Sequence, residues 1–308
     1  MNSELKPWQV FACLLATWIF WGSTYLAIKF ALLSFPPFFQ MGTRFLAAGL
    51  LMMVWVVWHR SIMPTLLQWR NAAIIGGLML GGGMGGTAYA EQYVASGLVV
   101  AFIAVVPAMI ALINYGFGVR PGRLEIAGIG VGVLGVICLV GGAGFKASPQ
   151  GLVAISLATI CWSTGSVLSL RLFSLAPGVV GFASEMLCGG AILLVISLVS
   201  GEPVNHAPQM IPILAWIYLL VFGSIIAFSA YMTLLARTSP TLAASYSFVN
   251  PLIAMMLGIG IAGERVTSRE WLAAGIIIVG VILLLAGRSR RGSISSPPIS
   301  IPPESPRV

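Results

Sequence analysis

Apolar residues in this chain do not alternate, nor do they form narrow helical stripes. They run in blocks of about twenty, interrupted by short breaks of Pro, Gly or charge. At 1.5 Å per residue, about 20 residues in a helix cross a hydrocarbon core about 30 Å thick, so each block is a candidate membrane span. Ten blocks are read, near residues 8–33, 36–58, 70–94, 97–119, 124–142, 151–174, 178–200, 211–236, 241–262 and 270–287. The fifth and tenth are the shortest. The pattern predicts an all-α integral membrane protein with ten transmembrane helices. The first block is longer than a signal-peptide core and has no small-x-small cleavage pattern behind it, so it is expected to stay in the mature protein.

The blocks are internally similar. At an offset of 145, LEIAGIGVGVLGVICLVGG (124–142) lies over REWLAAGIIIVGVILLLAG (269–287), matching Glu125 to Glu270, Gly135 to Gly280 and Gly142 to Gly287. At 144, Pro107 falls on Pro251; at 141, Trp21 falls on Trp162, Arg44 on Glu185 and Gly49 on Gly190. The drift is what short loop insertions produce. Two halves of five helices follow, and because five is odd the second half threads the membrane in the opposite sense. Such an inverted repeat is the architecture of many secondary transporters. The organisation expected is a cytoplasmic N-terminus (1–8), a first repeat (9–142), a second repeat (151–287) and a disordered cytoplasmic tail (288–308).

Composition and charge narrow the class. The 308 residues are 58% hydrophobic and 8% charged, whereas soluble domains carry about 25% charged residues. That excludes a cytosolic enzyme, a fibre and a disordered charged factor. Sixteen Lys/Arg stand against eight acids, all of them Glu, giving a net charge of +8. Without aspartate an intramembrane aspartyl protease is excluded. The basic residues are scattered singly between apolar blocks, which argues for topology signals and against a nucleic-acid face. With the N-terminus inside, the inner segments hold Lys6, Arg60, Arg70, Arg120, Arg123, Arg171, Arg237, Arg288, Arg290, Arg291 and Arg307, eleven in all. The outer loops hold three, Lys146, Arg265 and Arg269. The positive-inside rule therefore puts both termini in the cytoplasm. Cys13, Cys138, Cys161 and Cys188 all lie within apolar blocks without CxxC spacing, so neither a disulfide framework nor a metal site is expected.

The few charges left inside the spans are the chemical signal. Lys29, Arg44, Glu91 and Glu185 each cost about 2.5 kcal/mol or more at mid-bilayer unless they face a cavity or a partner. They are candidates for charge recognition, gating or proton coupling. The alternatives are snorkelling for Lys29 and structural ion pairs for Arg44 and Glu185. Trp21, Tyr25 and Lys29 recur at i, i+4 and i+8, extended by Thr17 and Trp18, and share a helical face suited to an apolar solute with a charged end. The matching stripe in the sixth helix is Thr159, Trp162, Ser163 and Ser166. Anchoring at the lipid interface is the competing reading of these aromatics. Pro107 and Pro251 lie near the centres of the fourth and ninth blocks, as hinges or as static kinks. Tyr246 and Asn250 precede the second of them on the cavity side, and Tyr89 and Tyr231 are weaker pocket candidates. The run GGLMLGGGMGG (76–86) lacks the Lys and Ser/Thr of a phosphate loop and reads as close packing through Gly77, Gly81 and Gly85. GGAGFKAS (141–148) also departs from a Walker A loop, and no cofactor is expected. Both histidines, His59 and His206, fall in predicted loops, so no catalytic constellation is visible at membrane depth. A channel and a non-transporting scaffold stay open beside a carrier.

Several segments carry a family resemblance. WIFWGSTYLAIKFALLSFPPFFQMGTRFLAAGLL (18–51) resembles the opening of the EamA family in the drug/metabolite transporter superfamily, with its WGS, Lys, PP and Arg-Phe-Leu landmarks. NPLIAMMLGIGIAGERVTSREWLAAGIIIVGVILL (250–284) resembles the family's second-half signature. Residues 90–112 and 222–251 are similar to members of the same family. The resemblance covers about residues 10–287. It implies two repeats of five helices, an inner-membrane location, and export of small metabolites, amino acids or drugs. The implied partners are a small-molecule solute and the lipid bilayer, with protons as a candidate coupling ion; it fixes neither substrate nor oligomeric state. The first-half loop GVRPGRLE (118–125) departs from the Gly-Glu-Arg loop at 263–265, which weakens equivalence across those loops.

Overall fold

The structure is a computed structural model, which describes residues 5–94, 99, 102–140, 148–202, 209–262 and 267–289. The Pro/Ser-rich tail from 290, Lys146 with most of the 141–148 loop, His206 and the Gly-Glu-Arg loop at 263–265 lie outside the described residues. Among the described residues, ten main helices fall in the ten apolar blocks. They are α1 (Pro7–Ala31) and α2 (Pro37–Trp58), α3 (Leu66–Gly76, Gly77–Gly85 and Gly86–Ala90), α4 (Val106–Gly116) and α5 (Arg123–Val140). The second half supplies α6 (Pro149–Arg171), α7 (Val179–Val199) and α8 (Met210–Arg237), then α9 (Tyr246–Ala262) and α10 (Ser268–Ser289). A single helical turn, Pro240–Ala243, joins α8 to α9. By length and composition, α1, α2, α6, α7 and α8 are long and apolar enough to cross a membrane.

Two seams join the halves, each between repeat-equivalent helices. Along α2 and α7, Gly42 meets Leu194 and Gly49 meets Leu187, so the helices run antiparallel. Along α5 and α10, Gly128 meets Leu284 and Gly135 meets Ile277, again antiparallel. Equivalent helices thus point in opposite directions, which is the inverted repeat seen directly. The glycines matched by the internal alignment sit in these seams. A Cβ on Gly190 would stand 2.7 Å from the Leu46 backbone nitrogen, and one on Gly49 would stand 2.9 Å from that of Leu187. A Cβ on Gly280 would stand 2.7 Å from the Gly132 nitrogen, and one on Gly135 would stand 2.9 Å from that of Ile277. Backbone meets backbone there, the close approach that small residues permit in membranes.

The halves also exchange contacts elsewhere: α3 and α4 pack on α6, as α8 and α9 pack on α1. Both α3 and α8 widen into π-helical winding at equivalent places, Gly77–Gly85 and Leu219–Phe228, and α1 does so over Thr17–Trp21. The periodicity of 3.6 did not anticipate this. In α3, close packing runs through Gly76 against Glu185 and Gly189, Gly82 against Cys161 and Gly83 against Trp162, while Gly77 and Gly81 have looser neighbours. The fourth and ninth blocks are both interrupted by a two-residue turn. Val105 N–H donates to Phe102 O (3.1 Å), and Ser245 N–H donates to Leu242 O (3.0 Å). Pro107 therefore lies in the first turn of α4 and not at mid-helix, where its missing N–H costs nothing because first-turn donors have no intrahelical acceptor. Pro251 is inside α9, as read from the sequence. A further tie crosses between halves. Glu202, just beyond α7, caps α2 by accepting from Phe38 N–H (3.0 Å) and Phe39 N–H (2.8 Å).

Candidate functional site

Aromatic residues of α1, α6, α8 and α9 converge where the halves meet. Trp21 is 3% exposed and stands edge-to-face with Tyr246 (ring centroids 4.6 Å apart) and Trp162 (5.5 Å). Tyr231 lies 5.2 Å from both tryptophan rings. Edge-to-face pairs prefer this geometry and add about 0.5–1.5 kcal/mol each beyond burial. The Trp21 indole N–H donates to Gly223 O (3.0 Å) in the π-wound part of α8, which fixes the ring across the interface. Mid-span burial and this bond separate Trp21 from a lipid-interface anchor.

The Trp21, Trp162 and Tyr246 rings border a narrow cavity lined also by Tyr25, Thr87, Thr159, Asn250, Met41 and Met84. Its water-accessible volume is about 60 Å³, well under the roughly 300 Å³ at which small-molecule sites begin. In this conformation the cavity is too narrow for a drug-sized solute. Two larger cavities flank it at repeat-equivalent places. One, about 700 Å³, lies at the α1–α2 connection and the end of α3, touching Phe35, Pro36 and Tyr89. The other, about 500 Å³, lies at the α6–α7 connection and the end of α8, touching Ala176, Pro177 and Met232. Pro36 and Pro177 are related by the repeat offset of 141, so the two belong to opposite faces of the inverted pair.

Of the sequence-predicted residues, Trp21, Tyr25, Trp162, Tyr246 and Asn250 line the central cavity together. Asn250 Nδ2 donates to Tyr25 Oη (3.4 Å), joining α9 to α1. Ser166 is buried beside the cavity, hydrogen-bonded to Tyr231 Oη (2.8 Å) and to Trp162 O. The four charges do not line it. Lys29 is exposed. Arg44 is 1% exposed and Glu185 0%, and among the described residues neither has a hydrogen-bond partner on its charged group. Arg44 Cζ rests 4.6 Å from the Phe45 ring centroid. Both Glu91 oxygens are buried without a partner, within the electrostatic reach of Lys29 and Arg44. Gln40, one turn before Arg44 and fully buried with its amide unpaired, is a residue that sequence reasoning missed. Scanning the spans for uncharged polar residues at helical spacing from a charge is the signal that would have found it. Glu202 carried no such signal, because its partners are backbone groups more than 160 residues away.

Residues 8–141 and 149–286 each match the EamA-like transporter family. The chain belongs to the EamA-like transporter family. It is 40% identical over 286 residues to the Escherichia coli K12 inner membrane transporter YedA, covering 92% of each chain. It is 24% identical over 279 residues to Protein PecM of Dickeya dadantii, covering 88% of this chain and 92% of that one. A solved crystal structure shares its fold with a TM-score of 0.77 at 20% identity, over 94% of this chain and all of the other. As a family member the chain is a membrane transporter of two duplicated helical halves. The aromatic cavity lies between those halves, where transporters with internal repeats carry solute.

Proposed function

We propose that this EamA-family protein is an inner-membrane exporter that moves small amphipathic organic solutes, the class that includes metabolites, amino acids and drugs, by alternating access. The observation that carries the reading is the narrow central cavity with repeat-equivalent cavities at opposite ends of the two halves. Exchanging the conformations of the halves exchanges which end cavity connects to the centre. Trp21, Tyr25, Trp162, Tyr246 and Asn250 contact the solute, with Ser166 holding Tyr231 behind them. Lys29, Arg44, Glu91 and Glu185 serve charge recognition, gating or proton coupling. Pro107 and Pro251 stand at the interrupted fourth and ninth spans, where the helices hinge. The inner-membrane location is supported by the name of the E. coli relative, and the eleven-to-three distribution of basic residues supports cytoplasmic termini.

Counterflow in proteoliposomes tests this. Labelled solute is expected to accumulate transiently and saturably against an unlabelled internal pool, with Trp21→Ala lowering the initial rate by about tenfold or more, equivalent to about 1.4 kcal/mol. Flux that rises linearly with concentration and shows no counterflow would identify a channel. Equal rates with and without an imposed pH gradient would remove proton coupling from the reading.

A further inference from the structure

The central cavity is more selective than its aromatic character alone suggests. Among the described residues, no Asp, Glu, Lys, Arg or His lines it; the four intramembrane charges lie outside its lining, and of them Glu91 acts electrostatically on Tyr25. A charged group entering this space would give up its water with no charged side chain on the lining to replace it, which is strongly unfavourable. Two uncharged polar atoms on residues that line it, however, are buried and have no hydrogen bond. Asn250 is 1% exposed; its Nδ2 is used on Tyr25, and its Oδ1 is buried and unpaired. Trp162 is 6% exposed; its indole N–H lies toward the Tyr231 and Tyr246 hydroxyls without reaching hydrogen-bond geometry with any acceptor. A buried donor and a buried acceptor left open each carry a desolvation cost, which a ligand offering the complementary groups removes. Between them the Trp21, Trp162 and Tyr246 rings meet edge-to-face, contacts that an inserted flat ring can replace in kind.

We propose that the central cavity takes uncharged, flat aromatic or heteroaromatic solutes carrying one hydrogen-bond donor, received by Asn250 Oδ1, and one acceptor, met by Trp162 Nε1–H. This rests on the reading of the cavity as the solute site. It also assigns the four buried or flanking charges to gating and coupling, away from the ring of the solute. Solutes with an ionised group on the ring are disfavoured by the lack of a charged side chain on the lining to receive it.

Nicotinamide and nicotinate form the test pair, since they share a ring and differ in a neutral carboxamide against a carboxylate. Binding to the full-length, detergent-purified protein is measured by titration calorimetry. Saturable nicotinamide binding is expected, with nicotinate about tenfold weaker or worse. Asn250→Ala and Trp162→Phe, the latter keeping an aromatic ring while removing the N–H, are each expected to weaken nicotinamide about tenfold. Their unfolding temperatures, read alongside, identify a variant that has lost its fold, and the other variant then decides. Nicotinate binding as tightly as nicotinamide, unchanged affinity in both folded variants, or no saturable nicotinamide binding at millimolar concentration overturns the proposal. Counterflow of charged solutes that Trp21→Ala abolishes would leave the transport reading standing and overturn this one. Nicotinamide binding through Asn250 without counterflow of any solute would do the reverse.

Discussion

The two halves share a framework and differ in nearly everything polar. Their seams use equivalent glycines, Gly49 with Gly190 and Gly135 with Gly280, and their third helices widen into π winding at matching places. Yet the first half carries Lys29, Arg44 and Glu91, with Arg44 and Lys29 both acting on Glu91, whereas the second carries Glu185 without a basic partner among the described residues. The caps differ too. The first turn of α2 is held by the Glu202 carboxylate, while its counterpart α7 follows Gly178 with no side-chain cap. Backbone-to-backbone seams depend on the absence of side chains, so both copies must keep them. Polar side chains make no such backbone contact, so the copies are free to diverge. A duplicated fold thereby yields two unequal ends.

The largest effect tests the shared framework. Gly190→Leu and Gly280→Val each drive a side chain into a backbone nitrogen 2.7 Å from the new Cβ, where relief requires helix separation and not a rotamer change. A loss of about 1–3 kcal/mol or more is expected, seen as a lower unfolding temperature in detergent and reduced recovery of monodisperse protein. Gly130, whose added Cβ would meet nothing within 4 Å, is the control, and Gly130→Ala is expected to behave like the parent. Equal tolerance at all three positions would break the picture of glycine seams.

A smaller effect tests the unequal charges. Glu91→Gln removes the carboxylate that offsets Arg44 and Lys29, so the unfolding temperature is expected to fall. Arg44→Met combined with Glu91→Gln should recover part of that loss, with a coupling of about 1 kcal/mol in the double-mutant cycle. Glu185→Gln, which has no comparable basic partner to strand, is expected to leave stability unchanged or raise it. A loss at Glu185 as large as at Glu91 would make the ends equivalent after all.

Much of this was legible in the sequence because it depends on local spacing. The apolar blocks predicted the helices, and the matches of Gly135 to Gly280 and Gly49 to Gly190 revealed the repeat, although not that these glycines form the seams. Trp21, Tyr25, Trp162, Tyr246 and Asn250 were legible as cavity candidates because aromatic and amide groups at mid-span have few other uses. The depth of the charges was not. Arg44 and Glu185 stand at matching positions in the alignment, but whether a charge faces solute, partner or nothing depends on side chains from distant helices. The π winding was hidden for a related reason. It moves the facing residues of α1, α3 and α8 off the 3.6-residue period on which stripe reading relies.

The smallest effect separates the two tryptophans that the repeat places in equivalent positions. Trp21 donates to the Gly223 carbonyl, while the Trp162 N–H has only the Tyr231 and Tyr246 hydroxyls nearby, short of hydrogen-bond geometry. Trp21→Phe therefore leaves a buried carbonyl without its partner and is expected to cost about 1 kcal/mol. Trp162→Phe removes an N–H that was already unpaired, and loses only part of a ring packed against Tyr231. Unfolding temperatures of the solute-free protein should fall more for Trp21→Phe, and solute affinity should fall for Trp162→Phe. That pattern would mean that one copy of the tryptophan holds the halves together while the other has been released to recognise solute. If both variants lose stability alike, the two copies still do the same work and the divergence lies only in the charges.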